Sequence, residues 1–155
     1  MTEELDIGKL LGMLEAAPEL TPLQRAIVTT DGTVQTMLSV VFKSEVIAKV
    51  IGQLTVGDVI VRWTRLIVKD TGRVVCLAES VFSRKDNLSQ FIDEIDSREL
   101  GIGQILRKHN IMTKRIIIGV FCDDNWFTRT YRIKGSVTDI YITEVFPTRA
   151  YEGLQ

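Results

Sequence analysis

Histidine occurs once in the 155 residues, at position 109, and cysteine twice, at 76 and 122. So few soft ligands, at no metal-binding or redox spacing, predict no metal site and two free thiols. No apolar run reaches the length of a spanning helix, and Met1-Thr2-Glu3-Glu4 lacks the basic start of a signal peptide. A cytoplasmic protein with no membrane partner is therefore expected. An excess of either charge is also missing: 19 Lys and Arg stand against 20 Asp and Glu, for a net charge of −1. That balance gives no general attraction to nucleic acid. The first 45 residues are acidic, with Lys9, Arg25 and Lys43 against seven carboxylates. Acidity there argues against reading the N-terminal helices as a DNA-binding helix-turn-helix, which depends on phosphate neutralisation. Short catalytic motifs are absent too. There is no phosphate-binding glycine loop and no Gly-x-Ser-x-Gly, and Gly101 and Gly103 are too isolated for a dinucleotide fingerprint. No cofactor is predicted.

What is present is an ordinary globular balance, 45% hydrophobic and 25% charged, in a length that fits one domain over residues 1–155. Ile7, Leu10, Leu11 and Leu14 follow helical spacing, stopped at Ala16-Ala17-Pro18. Thr21-Pro22-Leu23-Gln24 has the form of a capping box with proline at the first helical position. After Thr30-Asp31-Gly32, helical spacing returns at Val34, Met37, Leu38, Val41 and Phe42, and Thr30 or Asp31 is the expected cap. From Glu45 the period changes to two. It predicts strands over 46–55, 59–69 and 74–82, a helix carrying Leu88, Phe91, Ile92 and Ile95, a helical turn around 100–106, and strands over 115–121, 127–133 and 140–146. Short strand-to-strand loops imply antiparallel pairing. The expected fold is α+β, a single domain with a roughly six-stranded antiparallel sheet and helices on one face, the face bearing Glu144.

Two strands carry a charge where the alternation calls for an apolar residue. In 139–147 one face reads Ile140, Ile142, Glu144, Phe146. In 59–68 the odd face reads Val59, Val61, Trp63, Arg65, Ile67, which makes Arg65 the inward cation and Arg62 a solvated or rim charge. A buried carboxylate needs a partner, so Glu144 is either one half of a structural ion pair or a group kept for chemistry. If Ile133 pairs with Ile140 across the last hairpin, Arg129 falls opposite Glu144; a slip of one residue brings Thr128, Thr130 and Arg132 there instead. His109, in Arg107-Lys108-His109-Asn110, reads as a solvated residue at a helix end.

Trp63-Thr64-Arg65-Leu66 on a strand, Leu77-Ala78 after a hairpin, Ile102-Gly103 opening a helical turn and Thr143-Glu144-Val145-Phe146-Pro147 resemble, in order and spacing, the chorismate lyase family. Arg129-Thr130-Tyr131-Arg132 followed by the Thr143–Pro147 segment is similar to a divergent branch of it. The resemblance runs from about Thr30 to Pro147. It implies a lyase converting chorismate to 4-hydroxybenzoate and pyruvate with neither metal nor cofactor. By that likeness Arg65 grips the ring carboxylate, Glu144 hydrogen-bonds the ring hydroxyl, and backbone groups at Thr33 and Ile102 support the substrate. Glu79 stands where better-known members have a glycine near the hydroxyl, and Ser80 where they have an arginine. Arg129 is the candidate for the second carboxylate, with Arg115 behind it. Whether Glu144 holds the hydroxyl or also removes a proton is open at this level. The competing expectation is a non-catalytic domain that binds a cyclic carboxylate, because ligand-sensing domains of some bacterial transcription regulators look like the same fold.

Overall fold

The computed structural model describes residues 7–154, so the Met1–Glu4 start lies outside the described residues. Helices α1 (Ile7–Glu15), α2 (Pro22–Thr29) and α3 (Val34–Phe42) come first. Strands β1 (Val46–Val56), β2 (Val59–Val68) and β3 (Val74–Ser83) follow, then helices α4 (Ser89–Ser97) and α5 (Ile102–Lys108). Strands β4 (Lys114–Cys122), β5 (Trp126–Gly135) and β6 (Thr138–Pro147) close the sheet, and a single 3-10 turn (Thr148–Tyr151) ends it. The expected capping box at α2 forms: Gln24 donates its backbone N–H to Thr21 Oγ1 at 3.2 Å, and Gln24 Oε1 accepts from Thr21 N at 3.1 Å. At α3 the expectation is corrected. Thr33, not Thr30 or Asp31, is the N-cap residue, and no side chain caps the helix start. The Thr30 hydroxyl is spent one step earlier, accepting from Gly32 N at 3.3 Å.

All strand pairs are antiparallel and the six strands run β1-β2-β3-β6-β5-β4. Two three-stranded meanders, β1–β3 and β4–β6, are joined by the β3–β6 pair. The last hairpin takes the expected register, with Ile133 opposite Ile140 and Arg129 opposite Glu144. Helices pack on one face, and that face bears Glu144. Among the described residues no helix is long and apolar enough to cross a membrane.

On β2 the structure reverses the expected facing. Ile60, Arg62, Leu66 and Val68 are the buried residues, while Arg65 is exposed. Both parities of this strand carry large apolar side chains, so its own period does not choose a face. Pairing with β3 and β6 does. Arg62 lies opposite Ser80, which lies opposite Ile142; Arg65 lies opposite Leu77, which lies opposite Val145. Directly opposed residues share a face.

The covered face holds two apolar clusters. One, beneath α2 and α3, gathers Ile27, Leu38, Val68, Phe127, Phe146 and Tyr151, with the Phe127 and Phe146 rings stacked at 4.8 Å. The other, beneath α4 and α5, gathers Ile60, Phe82, Phe91, Ile95, Ile105 and Ile140. A band of polar side chains separates them. One row reads Gln53, Arg62, Ser80, Ile142, Tyr131 and the next Thr64, Ala78, Glu144, Arg129. Thr64 and Ala78 keep partial exposure on this otherwise covered face, between buried Arg62 and buried Glu144.

Close packing at one glycine gives a test of the contact between the end of β5 and the segment leading into β4. A Cβ on Gly135 would run into the Met112 carbonyl oxygen, whereas one on Gly119 would meet nothing within 4 Å. Gly135→Ala is expected to cost about 1–3 kcal/mol, read as a lower midpoint in urea unfolding. Gly119→Ala should leave that midpoint in place or raise it slightly.

Candidate functional site

Glu144 is 3% exposed at the centre of the polar band. Arg129 Nε donates to its Oε2 at 2.6 Å and the Tyr131 hydroxyl donates to its Oε1 at 2.8 Å. The two donors sit on alternate positions of β5 and therefore on the same face, so a single strand supplies both. The Arg129 guanidinium also lies 4.4 Å from the Tyr131 ring centre, a cation–π contact that fixes the two relative to each other. Burial pulls the Arg129 guanidinium down, but Glu144 and Tyr131 outweigh it and the net shift is upward. Burial first and Glu144 second push the Tyr131 phenol well above its ordinary range, so it stays a donor at neutral pH. The carboxylate is thus oriented and held from two sides.

The same arginine reaches the helices. Arg129 Nη1 donates to the carbonyls of Thr30 at 2.7 Å and Ile27 at 3.4 Å, which pins the segment leading into α3. Arg62 does likewise for the segment before α5, donating from Nη2 to Leu100 O at 2.6 Å. Arg115 Nη1 donates to Asp31 O at 2.9 Å. The starts of α3 and α5 meet above the band: a Cβ on Gly103 would lie 3.3 Å from Thr33 Cγ2 and 3.9 Å from Arg115 Nη2. The Thr33 hydroxyl accepts from Arg107 Nη2 at 3.2 Å instead of capping its own helix.

Arg62 is the most unusual group in this layer. It is fully buried, its Nε and Nη1 have no hydrogen-bond partner, and no carboxylate among the described residues pairs with it. Burial first, then the neighbouring Arg98 charge, lower its pKa to about 10. It remains a cation at neutral pH, paid no compensating charge by the protein. Arg129 Nη2 and Arg115 Nε are likewise buried and unpartnered. Against these cations the band sets one carboxylate, Glu144. Buried donors without acceptors are costly, and a carboxylate or phosphate is the kind of group that could supply the acceptors.

The residues expected from the sequence divide as follows. Glu144, Arg129, Thr33 and Ile102 are gathered around the band, Thr33 and Ile102 as the starts of the two facing helices. Arg65 is not brought to Glu144; the pair lies on opposite faces of the sheet, and the expected Arg65–Glu144 pocket is corrected. Glu79 is on the open face as well, exposed and accepting from the Trp63 indole N–H at 2.9 Å, while Ser80 turns inward. The ion pair between Arg129 and Glu144 forms, so Arg129 is already committed to a carboxylate of the protein. His109, read as solvated, is half-buried and lies 3.0 Å from Glu94 Oε1. Sequence reasoning missed Arg62 and Tyr131. Tyr131 shares the inward parity of Arg129 and was legible from it; Arg62 was not, because its strand offers two equally apolar faces.

No family model matches the chain. It is similar to a protein of Methanocaldococcus jannaschii named "Putative lyase MJ0807", with 30% identity over 162 residues covering 92% of this chain and 88% of that protein.

Stability should separate the two buried cations. Arg129→Met strands the Glu144 carboxylate and is expected to cost about 3–5 kcal/mol. Arg62→Met removes an uncompensated buried charge but also the donor to Leu100 O, so its net cost should be clearly smaller than that of Arg129→Met. Urea unfolding of both variants checks this.

Proposed function

The chain belongs to the family of that archaeal protein, whose name is that of a lyase, and we propose that it cleaves chorismate to 4-hydroxybenzoate and pyruvate. The observation that carries the reading is a buried guanidinium at Arg62, with two nitrogens that bond nothing, in the same covered polar band as the fixed carboxylate of Glu144. Chorismate bears carboxylates and a ring hydroxyl. Arg62 takes the role first given to Arg65, holding a substrate carboxylate, and Glu144 accepts from the hydroxyl. Thr33 and Ile102 offer the backbone at the starts of the two facing helices. Arg129 acts through Glu144 and is a positioning residue; its unpartnered Nη2 and the nearby Arg115 face the second carboxylate.

The reaction suits a site with no nucleophile aimed at the substrate. The ether C–O bond to the enolpyruvyl arm breaks, and its oxygen becomes the keto oxygen of pyruvate. The hydrogen on the hydroxyl-bearing ring carbon moves to the arm's methylene carbon, making a methyl group, and the ring becomes aromatic. No atom is added or lost. Aromatisation drives the step, so the protein has to hold the arm over that C–H and stabilise charge as the bond stretches. Glu144 is held by two donors and works as a fixed acceptor that draws electron density toward the reacting carbon.

A second reading keeps the pocket and drops the turnover: a module that binds a cyclic carboxylate. The full engagement of Glu144 by Arg129 and Tyr131 is the observation that favours it.

Incubating the purified protein with chorismate separates the two readings. The lyase yields 4-hydroxybenzoate and pyruvate in equal amounts; a binding module is stabilised by 4-hydroxybenzoate and forms no product. Arg62→Ala is expected to lower kcat/KM by about a hundredfold or more, the loss of a charge-assisted carboxylate contact. Arg65→Ala should stay within about twofold, as exposed-face substitutions do. Equal losses in both variants would overturn the assignment of Arg62.

A further inference from the structure

We infer that Gln53, Arg62 and Arg98 form the carboxylate-holding end of the proposed substrate site, and that the Gln53 carboxamide contacts the bound carboxylate directly. The inference rests on the reading above for the identity of the substrate, but its observations are separate. Gln53 lies opposite Arg62 across the β1–β2 pair, so both side chains enter the same covered layer. Its Oε1 is buried and has no donor. Beside it Arg62 has free donors at Nε and Nη1. A free acceptor and free donors thus sit on neighbouring positions and leave each other unbonded. Arg98 closes this end. It caps α4 in the left-handed region, at φ 59, and its Nη2 reaches the Gln53 backbone carbonyl at 3.5 Å. Its charge is felt by Arg62, and neither arginine has a carboxylate partner among the described residues.

A carboxylate seated between Gln53 and Arg62 resolves these mismatches together. Its oxygens accept from Arg62 Nε and Nη1. When the amide turns its NH2 group inward, Gln53 donates as well and its Oε1 moves toward the partly exposed side. Neutrality at position 53 is essential to this role. A carboxylate there would pair with Arg62 and occupy the place of the ligand; the amide keeps the cation free while adding a donor. Gln53 is therefore a binding residue that selects for an anion at this end, and Arg98 adds charge without entering the covered layer.

Two variants test it, with benzoate as the minimal carboxylate probe and chorismate as the substrate. Gln53→Glu is nearly isosteric and should weaken benzoate binding and raise the KM for chorismate by about tenfold or more, while raising the unfolding temperature through the new internal pair with Arg62. Gln53→Leu should raise KM several-fold, leave kcat within about twofold and leave the unfolding temperature unchanged or higher, since it removes a buried oxygen that bonds nothing. A structural role predicts the opposite sign of the stability change in Gln53→Leu. Unchanged benzoate affinity and KM in both variants would overturn the inference while leaving the chorismate reading intact. Benzoate binding that depends on Gln53 and Arg62 in a protein that does not turn over chorismate would support the anion site and sink the lyase reading alone. A parent protein that neither binds benzoate nor turns over chorismate would refute both.

Discussion

The buried pair of Arg129 and Glu144 is the constraint around which this domain is arranged. A carboxylate taken from water is tolerable only with full compensation, and here the compensation comes from one neighbouring strand. Arg129 supplies charge and Tyr131 a hydroxyl, two positions apart on β5. Because Arg129 also holds the carbonyls of Ile27 and Thr30, the electrostatics of the sheet dictate where the chain between α2 and α3 can lie. The start of α3 is positioned from below, by a side chain, with no cap of its own. Arg62 does the corresponding work for the segment entering α5. The two helix starts meet above the polar band because each is tethered to a cation in it.

Around that band the hydrophobic core divides into two separate clusters, one under α2 and α3 and one under α4 and α5. Each cluster stabilises its own end of the sheet by burying apolar surface. The strip between them forgoes such burial and carries the buried donors that lack acceptors. Marginal native stability is sensitive to a few kcal/mol, and this domain places an unfavourable charge at Arg62, where a ligand can relieve it. The uncompensated group and the compensated pair lie side by side in the polar band.

How legible this was depended on the strand. The hairpin of β5 and β6 alternates strictly and turns tightly, which narrowed its register to two choices one residue apart, and the observed one puts Ile133 opposite Ile140 and Arg129 opposite Glu144. The Thr21–Gln24 box and the change of period after Glu45 fixed the helical start and the sheet in the same way. On β2 the reading failed, since Val59, Val61, Trp63 and Ile67 are as apolar as Ile60, Leu66 and Val68. Extra residues at Ile51 in β1 and Val75 in β3 shift the registers that would have decided it. A shift of one residue moves every side chain of a strand to the other face, so the error carried from Arg65 to Glu79 as one error. Gln53 was hidden for the same reason, two residues beyond the irregularity in β1. The family likeness located the right strands and helix starts; it could not say which arginine of Arg62-Trp63-Thr64-Arg65 turns inward, since that belongs to the pairing of three strands.

The order of strands has a consequence for how the protein comes to fold. Each meander is built from neighbours in sequence, and hairpins of that kind close quickly because their contacts are local. Only the β3–β6 pairing joins residues far apart along the chain, with both helices α4 and α5 and all of β4 and β5 between them. Arg62 and Gln53 belong to the first meander, Glu144, Arg129 and Tyr131 to the second. Neither half contains the whole polar band. The row from Arg62 to Tyr131 is complete only once the longest-range contact of the topology has formed, so an intact band is itself a marker that the two halves of the chain have come together.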